Sequence, residues 1–197
     1  MDKLFFLILA YFLGSIPFGL IIAKKVKGID IRDHGSRNVG ATNVFRVVGK
    51  KWGLLVFFLD SLKGYAAVSF PATLNDSFPW LLVFAAAAIL GHTFSCWLHF
   101  RGGKGVATSL GVFLALAPAP ALITFALWVV SFAVTRIISL SSLVAAFAFP
   151  IVVVATFHHR PELPWLLPVA ILLLFFIVFT HRANIERLAK REERRLF

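Results

Sequence analysis

Apolar runs of bilayer-spanning length dominate this chain and limit the folds open to it. A transmembrane helix needs about 20 consecutive apolar residues. Candidates lie at 3–24, 53–73, 79–98, 106–117, 120–135, 139–157 and 164–180. Hydrophobic residues make up 59% of the 197 residues, more than a soluble domain of this length can bury. The sequence therefore predicts an all-α polytopic membrane protein, with residues 1–197 as a single integral membrane domain.

The first apolar run has some features of a secretory signal. Its opening, "MDKLFFLILAYFLGSIPFG", carries only Lys3 as a positive flank, and no Ala-x-Ala cleavage site follows. We therefore expect a retained first span. Pro17 is expected to kink it, because proline removes a helical hydrogen bond.

Charge decides how the fourth and fifth runs are counted. The "APAPA" stretch (117–121) separates them, although the two runs together could form one kinked span. With seven spans and the N-terminus outside, only Lys3 and Arg160 of the 20 Lys and Arg residues lie outside, and Lys63 lies within a span. Merging the two runs would move the C-terminal cations outside, against the positive-inside rule. The sequence thus predicts seven transmembrane helices, an external N-terminus and a cytoplasmic C-terminus.

The predicted cytoplasmic stretches are a first loop (24–52), a second loop (99–105), a short turn at Arg136 and a C-terminal segment (181–197). The first loop contains "HGSRNVGATN", in which glycines alternate with small hydrogen-bonding residues that let backbone N–H groups turn toward an anion. Candidate ligand-binding residues are Ser36, Arg37, Asn38, Thr42, Asn43 and Arg46. Arginine suits bidentate contact with phosphate. The alternative is a solvated basic loop against anionic lipid headgroups.

The second loop runs into "RGGKGVATSLG" (101–111), which lacks the spacing of a Walker nucleotide-binding loop. Gly102, Gly103 and Gly105 free the backbone just before a helix predicted from Val106. The N-terminus of that helix offers N–H groups and partial positive charge to an anion. Lys104 adds a full charge, and Thr108 and Ser109 add hydroxyls. The alternative is a flexible turn with an interfacial lysine.

The C-terminal segment places His181 and Asn184 one helical turn apart, where the last span ends. By itself it is equally consistent with a solubilising tail. Within the second span, Asp60 and Lys63 are three residues apart and are predicted to form a structural ion pair, with substrate positioning as the alternative. The histidines form no ligand cluster and Cys96 is the single cysteine, so no metal and no cofactor are predicted.

The net charge of +11 indicates an anionic partner. Nucleic acid is disfavoured because the cations lie between apolar spans instead of on one soluble domain. Two glycine-rich anion sites beside an apolar bundle suggest a phosphate-bearing polar substrate and a lipid-like one. This combination favours acyl or phosphoryl transfer over a transporter of organic phosphates or a lipid-anchoring role.

At these residues the sequence resembles the bacterial acyl-phosphate:glycerol-3-phosphate acyltransferases of the plasma membrane. The resemblance covers essentially the whole chain. It runs through "YFLGSIPFGLIIAK", "GSRNVGATNVFRVVGKK", "DSLKG", "GHTFSCWLHFRGGKGVATSLG" and "HRANIERL". The last block departs from the pattern at Thr180, where relatives often carry a basic residue.

The resemblance implies transfer of a fatty acyl group from acyl phosphate to the 1-hydroxyl of glycerol 3-phosphate, giving lysophosphatidic acid and phosphate. It also implies a site on the cytoplasmic face of the bacterial inner membrane, and we expect a monomer. It makes Ser36 and Arg37 essential and the 102–105 stretch part of a phosphate site. His181 and Asn184 then belong to the reacting centre, and Glu193 to its structural support.

The chemistry favours direct transfer, because acyl phosphate already carries a good leaving group. The protein then has to align hydroxyl and carbonyl and to stabilise developing charge, with Lys104 and Arg37 as the catalytic cations. Three routes to the activated nucleophile remain open. His181 could act as general base, the phosphate of glycerol 3-phosphate could take the proton, or Ser36 could form an acyl-enzyme.

Overall fold

The computed structural model describes residues 3–74 and 77–196, which are helical and contain no strand. The helices are α1 (Lys3–Ser15), α2 (Phe18–Lys27), α3 (Ala41–Val47), α4 (Lys50–Ala72), α5 (Phe78–Thr93), α6 (Val106–Leu116), α7 (Pro118–Thr135), α8 (Ile138–Phe157), α9 (Leu163–Thr180) and α10 (Arg182–Ala189). The chain divides into two compact units, an N-terminal unit (Met1–Leu116) and a C-terminal unit (Ala117–Phe197).

Six segments of the described chain are long and apolar enough to cross a membrane. They are Lys3–Lys27, Lys50–Ala72, Phe78–Leu98, Pro118–Thr135, Ile138–Phe157 and Leu163–Thr180. The prediction of an all-α polytopic membrane protein is confirmed. The predicted fourth span forms α6, whose 11 residues extend only about 16 Å, against a hydrocarbon core of about 30 Å.

The first span is broken where the sequence predicted a kink. α1 ends at Ser15 and α2 begins at Phe18, so Ile16 and Pro17 are non-helical. The break frees backbone carbonyls that a continuous helix would pair. Lys63 Nζ donates to the Ile16 carbonyl oxygen at 2.7 Å, and Ser95 Oγ donates to that of Ser15 at 2.7 Å.

Close helix contacts in the N-terminal unit depend on glycines. A Cβ atom at Gly14 would overlap the carbonyl oxygen of Ala88 on α5, and one at Gly111 would overlap that of Ser61 on α4. Small residues let transmembrane helix backbones approach in this way. The contacts fix α1 against α5 and α4 against α6.

The predicted third span (79–98) is helical only to Thr93, after which Cys96–Leu98 forms a 3-10 turn. The carbonyls of His92 and Thr93, at the end of α5, accept hydrogen bonds from the second loop instead of continuing the helical ladder. The helix therefore ends earlier than its hydropathy indicated, because this loop takes the last carbonyls.

In the C-terminal unit, α7, α8 and α9 pack in sequence and α10 follows α9 after a break at His181. Proline lies in the first turn of both α7 and α9, where its missing N–H costs no helical bond. Trp128 on α7 donates to Ser142 Oγ on α8 at 3.2 Å. The chain end returns to the α7–α8 turn, where Leu196 N donates to the Arg136 carbonyl at 2.8 Å.

Candidate active site

Asn43, at the start of α3, organises the glycine-rich part of the first loop. Its Oδ1 accepts the N–H of Ser36 at 2.9 Å, and its Nδ2 donates to the carbonyls of His34 and Asn38 at 2.9 and 2.8 Å and to that of Ile31 at 3.3 Å. Its side chain is buried, with 1% exposed. Asn43 therefore fixes the loop from within, and its predicted contact with substrate stays a prediction.

This folding presents Ser36 and Arg37 at the surface of the loop. Both residues are exposed, and Arg37 has a left-handed backbone with φ of 60°. A positive φ is uncommon for a residue with a side chain. At the neighbouring Gly35, φ is 61° and a Cβ would overlap Asn43 Oδ1. Glycine is therefore needed here for the Asn43 side chain to accept the N–H of Ser36.

A hydrophobic cluster beneath the first loop links it to the residues that follow α5. It contains Ile22, Ala23, Ile31, Val39, Val44, Val48, Val56 and Leu98. Leu98 lies just before the second loop, so its side chain connects that segment to the hydrophobic cluster of the first loop. Val39 and Leu98 also line a small cleft together with Pro17, Asp60, His92 and Ser95.

The second loop is held against the end of α5 by its own glycines. Gly102 N donates to the Thr93 carbonyl at 2.8 Å, and Gly103 N donates to the His92 carbonyl at 3.1 Å. A Cβ at Gly102 would overlap the His92 carbonyl oxygen, and one at Gly103 would overlap the His92 imidazole. These two N–H groups therefore dock the loop, and their predicted contact with phosphate stays a prediction.

Further backbone N–H groups lie beyond the second loop, at the start of α6. Ser109 N donates back to the Gly105 carbonyl at 2.7 Å. The N–H groups of the residues just before Ser109 belong to the first turn, where a helix offers them no carbonyl partner. Gly105 has a φ of 83°, which lets the chain turn into the helix. Lys104 is adjacent. The hydroxyls of Thr108 and Ser109 are buried and have no hydrogen-bond partner within the described residues.

Three charged or titratable side chains form a buried cluster behind this loop. Lys63 Nζ lies 2.8 Å from Asp60 Oδ1, and His92 Nδ1 lies 3.6 Å from the same oxygen. All three side chains are at most 8% exposed. The spacing of Asp60 and Lys63 predicted their pairing, whereas His92 comes from another helix, and sequence reasoning gave it no role.

In the C-terminal unit, Glu193 joins α8 to α10. Its Oε1 accepts from Ser139 Oγ at 2.7 Å and from Asn184 Nδ2 at 2.6 Å, and its Oε2 accepts from Arg187 Nε at 2.6 Å. Burial raises the pKa of the Glu193 carboxyl, but these hydrogen bonds outweigh it and hold the pKa below its ordinary value. Asn184 is thereby fixed by Glu193.

His181 caps the end of α9 and is 2% exposed. Its Nδ1 lies 2.9 Å from the Ile177 carbonyl oxygen. Because a carbonyl only accepts hydrogen bonds, this contact places a proton on Nδ1. A neutral ring with that proton can accept a second one at Nε2.

The profile of the family described as glycerol-3-phosphate acyltransferase matches residues 4–191. A glycerol-3-phosphate acyltransferase of Fusobacterium nucleatum is 43% identical over 188 residues, 95% of each chain.

Two crystal structures of PlsY (YgiH), an integral membrane glycerol 3-phosphate acyltransferase, are similar to the chain at 42% identity. The glycerol 3-phosphate form has a TM-score of 0.89, covering 99% of this chain and 96% of that one. The lysophosphatidic acid form has a TM-score of 0.87, covering 99% and 95%.

Proposed function

The chain belongs to the glycerol-3-phosphate acyltransferase family of integral membrane proteins, and from this premise we propose that it moves a fatty acyl group from acyl phosphate to the 1-hydroxyl of glycerol 3-phosphate. The products are lysophosphatidic acid and inorganic phosphate, the first step of membrane phospholipid synthesis. The similar crystal structures contain glycerol 3-phosphate in one form and lysophosphatidic acid in the other, which supports the acceptor and the product.

The observation that carries the proposal is the docked second loop. Gly102 and Gly103 donate their N–H groups to the end of α5. This supports Lys104 and the first turn of α6 as the elements that meet an anion. A cation beside a helix N-terminus favours binding of a phosphate group. The first loop, shaped by Asn43, presents Ser36 and Arg37 for a second phosphate-bearing group.

The proposed mechanism is direct transfer. The 1-hydroxyl oxygen of the acceptor attacks the acyl carbonyl carbon, and the bond from that carbon to the phosphate oxygen breaks, with the electron pair leaving on phosphate. The hydroxyl proton passes to His181 or to the phosphate of the acceptor itself. Lys104 and Arg37 stabilise the negative charge that develops on the carbonyl and phosphate oxygens. Ser36, Asn38, Thr42, Arg46 and Thr108 contribute to substrate binding, and His181 and Asn184 act at the reacting centre. No metal or other cofactor is required.

We further propose that α6 supplies a seventh membrane crossing and that the N-terminus is external and the C-terminus cytoplasmic. Residues 1–197 then form one membrane domain of a monomer in the bacterial inner membrane, with the site on the cytoplasmic face. The distribution of Lys and Arg supports this orientation.

The test is turnover of palmitoyl phosphate by the purified protein in lipid, with and without glycerol 3-phosphate. We expect acceptor-dependent, one-to-one formation of lysophosphatidate and phosphate. Lys104→Met should reduce this rate by at least about a hundredfold, because it removes a fixed charge from the reacting groups. The matched control Lys25→Met, at an exposed lysine late in α2, should stay close to wild type.

Three outcomes contradict parts of the proposal. No turnover by a well-folded preparation excludes the acyl transfer. Uptake of glycerol 3-phosphate into sealed vesicles without a new lipid establishes transport instead. A burst of phosphate without acceptor, together with acylated Ser36, replaces direct transfer with an acyl-enzyme.

A further inference from the structure

His92, the penultimate residue of α5, contacts the second loop with both its backbone and its ring. Its carbonyl accepts the N–H of Gly103 at 3.1 Å. Its ring occupies the space that a side chain at position 103 would need, since a Cβ there would overlap Nε2 and lie 2.9 Å from Cε1. The second loop therefore lies directly on the imidazole.

The ring is held from its other side by buried charge. Nδ1 lies 3.6 Å from Asp60 Oδ1, which also receives the ammonium of Lys63 at 2.8 Å. Lys63 in turn donates to the Ile16 carbonyl in the break between α1 and α2. The imidazole is thus fixed between a charge pair anchored in α4 and the glycine-rich backbone.

The glycine at 103 is explained by this ring. Gly103 does not have a positive φ, unlike Gly105, so its backbone conformation would accept alanine. What excludes a side chain is the space that His92 fills. A need for glycine that comes from the His92 ring disappears when residue 92 is made smaller. A need for glycine that came from the backbone dihedral angles would remain.

We propose that His92 is a positioning residue for the acyl transfer, and this role rests on the function proposed above. Through Gly102 and Gly103 its ring and carbonyl set the place of the second loop, and so aim Lys104 and the first turn of α6 at a substrate phosphate. Asp60 and Lys63 act one step further back, by fixing the ring. His92 itself exchanges no proton with substrate in this role.

The experiment is a double-mutant cycle with His92→Ala, Gly103→Ala and the double variant. His92→Ala removes one neighbour of Asp60 but leaves its ion pair with Lys63, so the buried carboxylate keeps a charged partner. We expect each single variant to raise the KM for one phosphate-bearing substrate about tenfold while kcat stays within about threefold, because binding geometry is lost and not the reacting groups. The substrate whose KM rises identifies the phosphate that the loop holds.

The decisive result is whether the effects of the two substitutions on KM add. Adding Gly103→Ala to His92→Ala should cost little more than His92→Ala alone, because the new Cβ enters the vacated space. Gly14→Ala is the control for a steric overlap away from the second loop, since its Cβ overlaps the Ala88 carbonyl at the α1–α5 contact. It should lower thermal stability and leave both KM values unchanged.

Hydrogen exchange separates this role from the reaction itself. The amides of Gly102 and Gly103 should exchange at least about tenfold faster in His92→Ala than in the wild type, while amides of α1 keep their protection. If His92→Ala folds poorly, His92→Gln, which retains a donor toward Asp60, enters the same cycle and is expected to give a smaller rise in KM.

An active wild type whose His92 variants keep both KM values and the exchange protection of the loop would overturn the role of His92 alone. Fully additive costs in the cycle would also overturn it. A wild type that makes no lysophosphatidate would overturn the proposed function and, with it, this role in catalysis. In that case the docking role is tested by hydrogen exchange alone. If the amides of Gly102 and Gly103 exchange at the same rate in His92→Ala as in the wild type, the docking role is also wrong.

Discussion

The first loop and the C-terminal segment are each organised by one side chain, and the two side chains use different chemistry. Asn43 binds four backbone groups within residues 31–38 through a neutral, buried amide. Glu193 binds three side chains from α8 and α10 through a carboxylate. The amide shapes one stretch of backbone at any pH, whereas the carboxylate joins separate elements and depends on its ionisation. The comparison predicts different responses to substitution, acid and salt.

The largest effect is expected for Asn43→Asp, which keeps the size of the side chain but replaces its donor with an acceptor. The carbonyls of Ile31, His34 and Asn38 would then face a buried carboxylate. We expect a loss of about 3 kcal/mol of unfolding free energy, from buried polar groups left without partners, and at least a tenfold loss of lysophosphatidate formation. Thermal unfolding and turnover of the purified variant measure the two.

Asn38→Asp is the matched control for this substitution. The Asn38 side chain accepts the N–H of Gly40 at 2.8 Å, and aspartate can accept the same bond. Its unfolding free energy should stay within about 0.5 kcal/mol of wild type. Equal stability of Asn43→Asp and Asn38→Asp would show that the donor side of Asn43 does not hold the loop.

The sequence predicted the features that depend on local structure and missed those that depend on long-range contacts. Hydropathy located the helices, and the spacing of Asp60 and Lys63 on one helix indicated their pairing, because both depend on local periodicity. The carbonyls that Asn43 binds depend on the loop's dihedral angles, which residue types do not specify. The place of His92 beside Asp60 depends on the packing of α5 against α4.

The second loop shows the same limit at the candidate site. Its composition indicated backbone donors for phosphate, but it could not indicate that Gly102 and Gly103 donate to the end of α5. That requires α5 to end at Thr93, five residues before its apolar run ends. The sequence identified the right stretch for an anion site, and only the three-dimensional contacts distinguish its docking groups from its remaining donors.

The second prediction concerns Glu193→Ala. It removes the acceptor of Ser139, Asn184 and Arg187, so we expect a loss of about 2 kcal/mol of unfolding free energy, with Glu193→Gln intermediate because it keeps one acceptor oxygen. Thermal unfolding measures both. Glu186→Ala is the control, because its pair with Lys190 is exposed and should contribute nothing measurable. A Glu193→Ala protein as stable as Glu186→Ala would contradict the organising role.

The third prediction is a difference in acid sensitivity. The pKa of Glu193 is lowered on folding, so its stabilisation is complete above the ordinary carboxyl pKa of 4.5 and is lost as pH falls through the lower folded value. Melting temperatures of wild type and Glu193→Gln should therefore converge as the pH is lowered from 6 toward about 3. Parallel curves for the two proteins would show that this carboxylate does not couple folding to pH.

The smallest effect is expected for Asp30→Asn, at the start of the first loop. Asp30 accepts Arg32 N and Nε through Oδ1 and lies 2.6 Å from Arg32 Nη2 through Oδ2. This hydrogen-bonded pair lowers the pKa of Asp30 to about 2. Its own stabilisation is also lost in acid, but it is the same in wild type and Glu193→Gln and therefore cancels when those two proteins are compared. The Arg32 side chain is 39% exposed, and asparagine retains the capping acceptor.

We therefore expect Asp30→Asn to lose about 0.5 kcal/mol or less of unfolding free energy, and the difference from wild type to vanish at 1 M salt, where exposed pairs are screened. The loss in Asn43→Asp should persist at that salt concentration, because its unpaired groups are buried. Melting temperatures of the three proteins at low and high salt test both statements. A salt-sensitive loss in Asn43→Asp would mean that the first loop, like the C-terminal segment, is held mainly by charge.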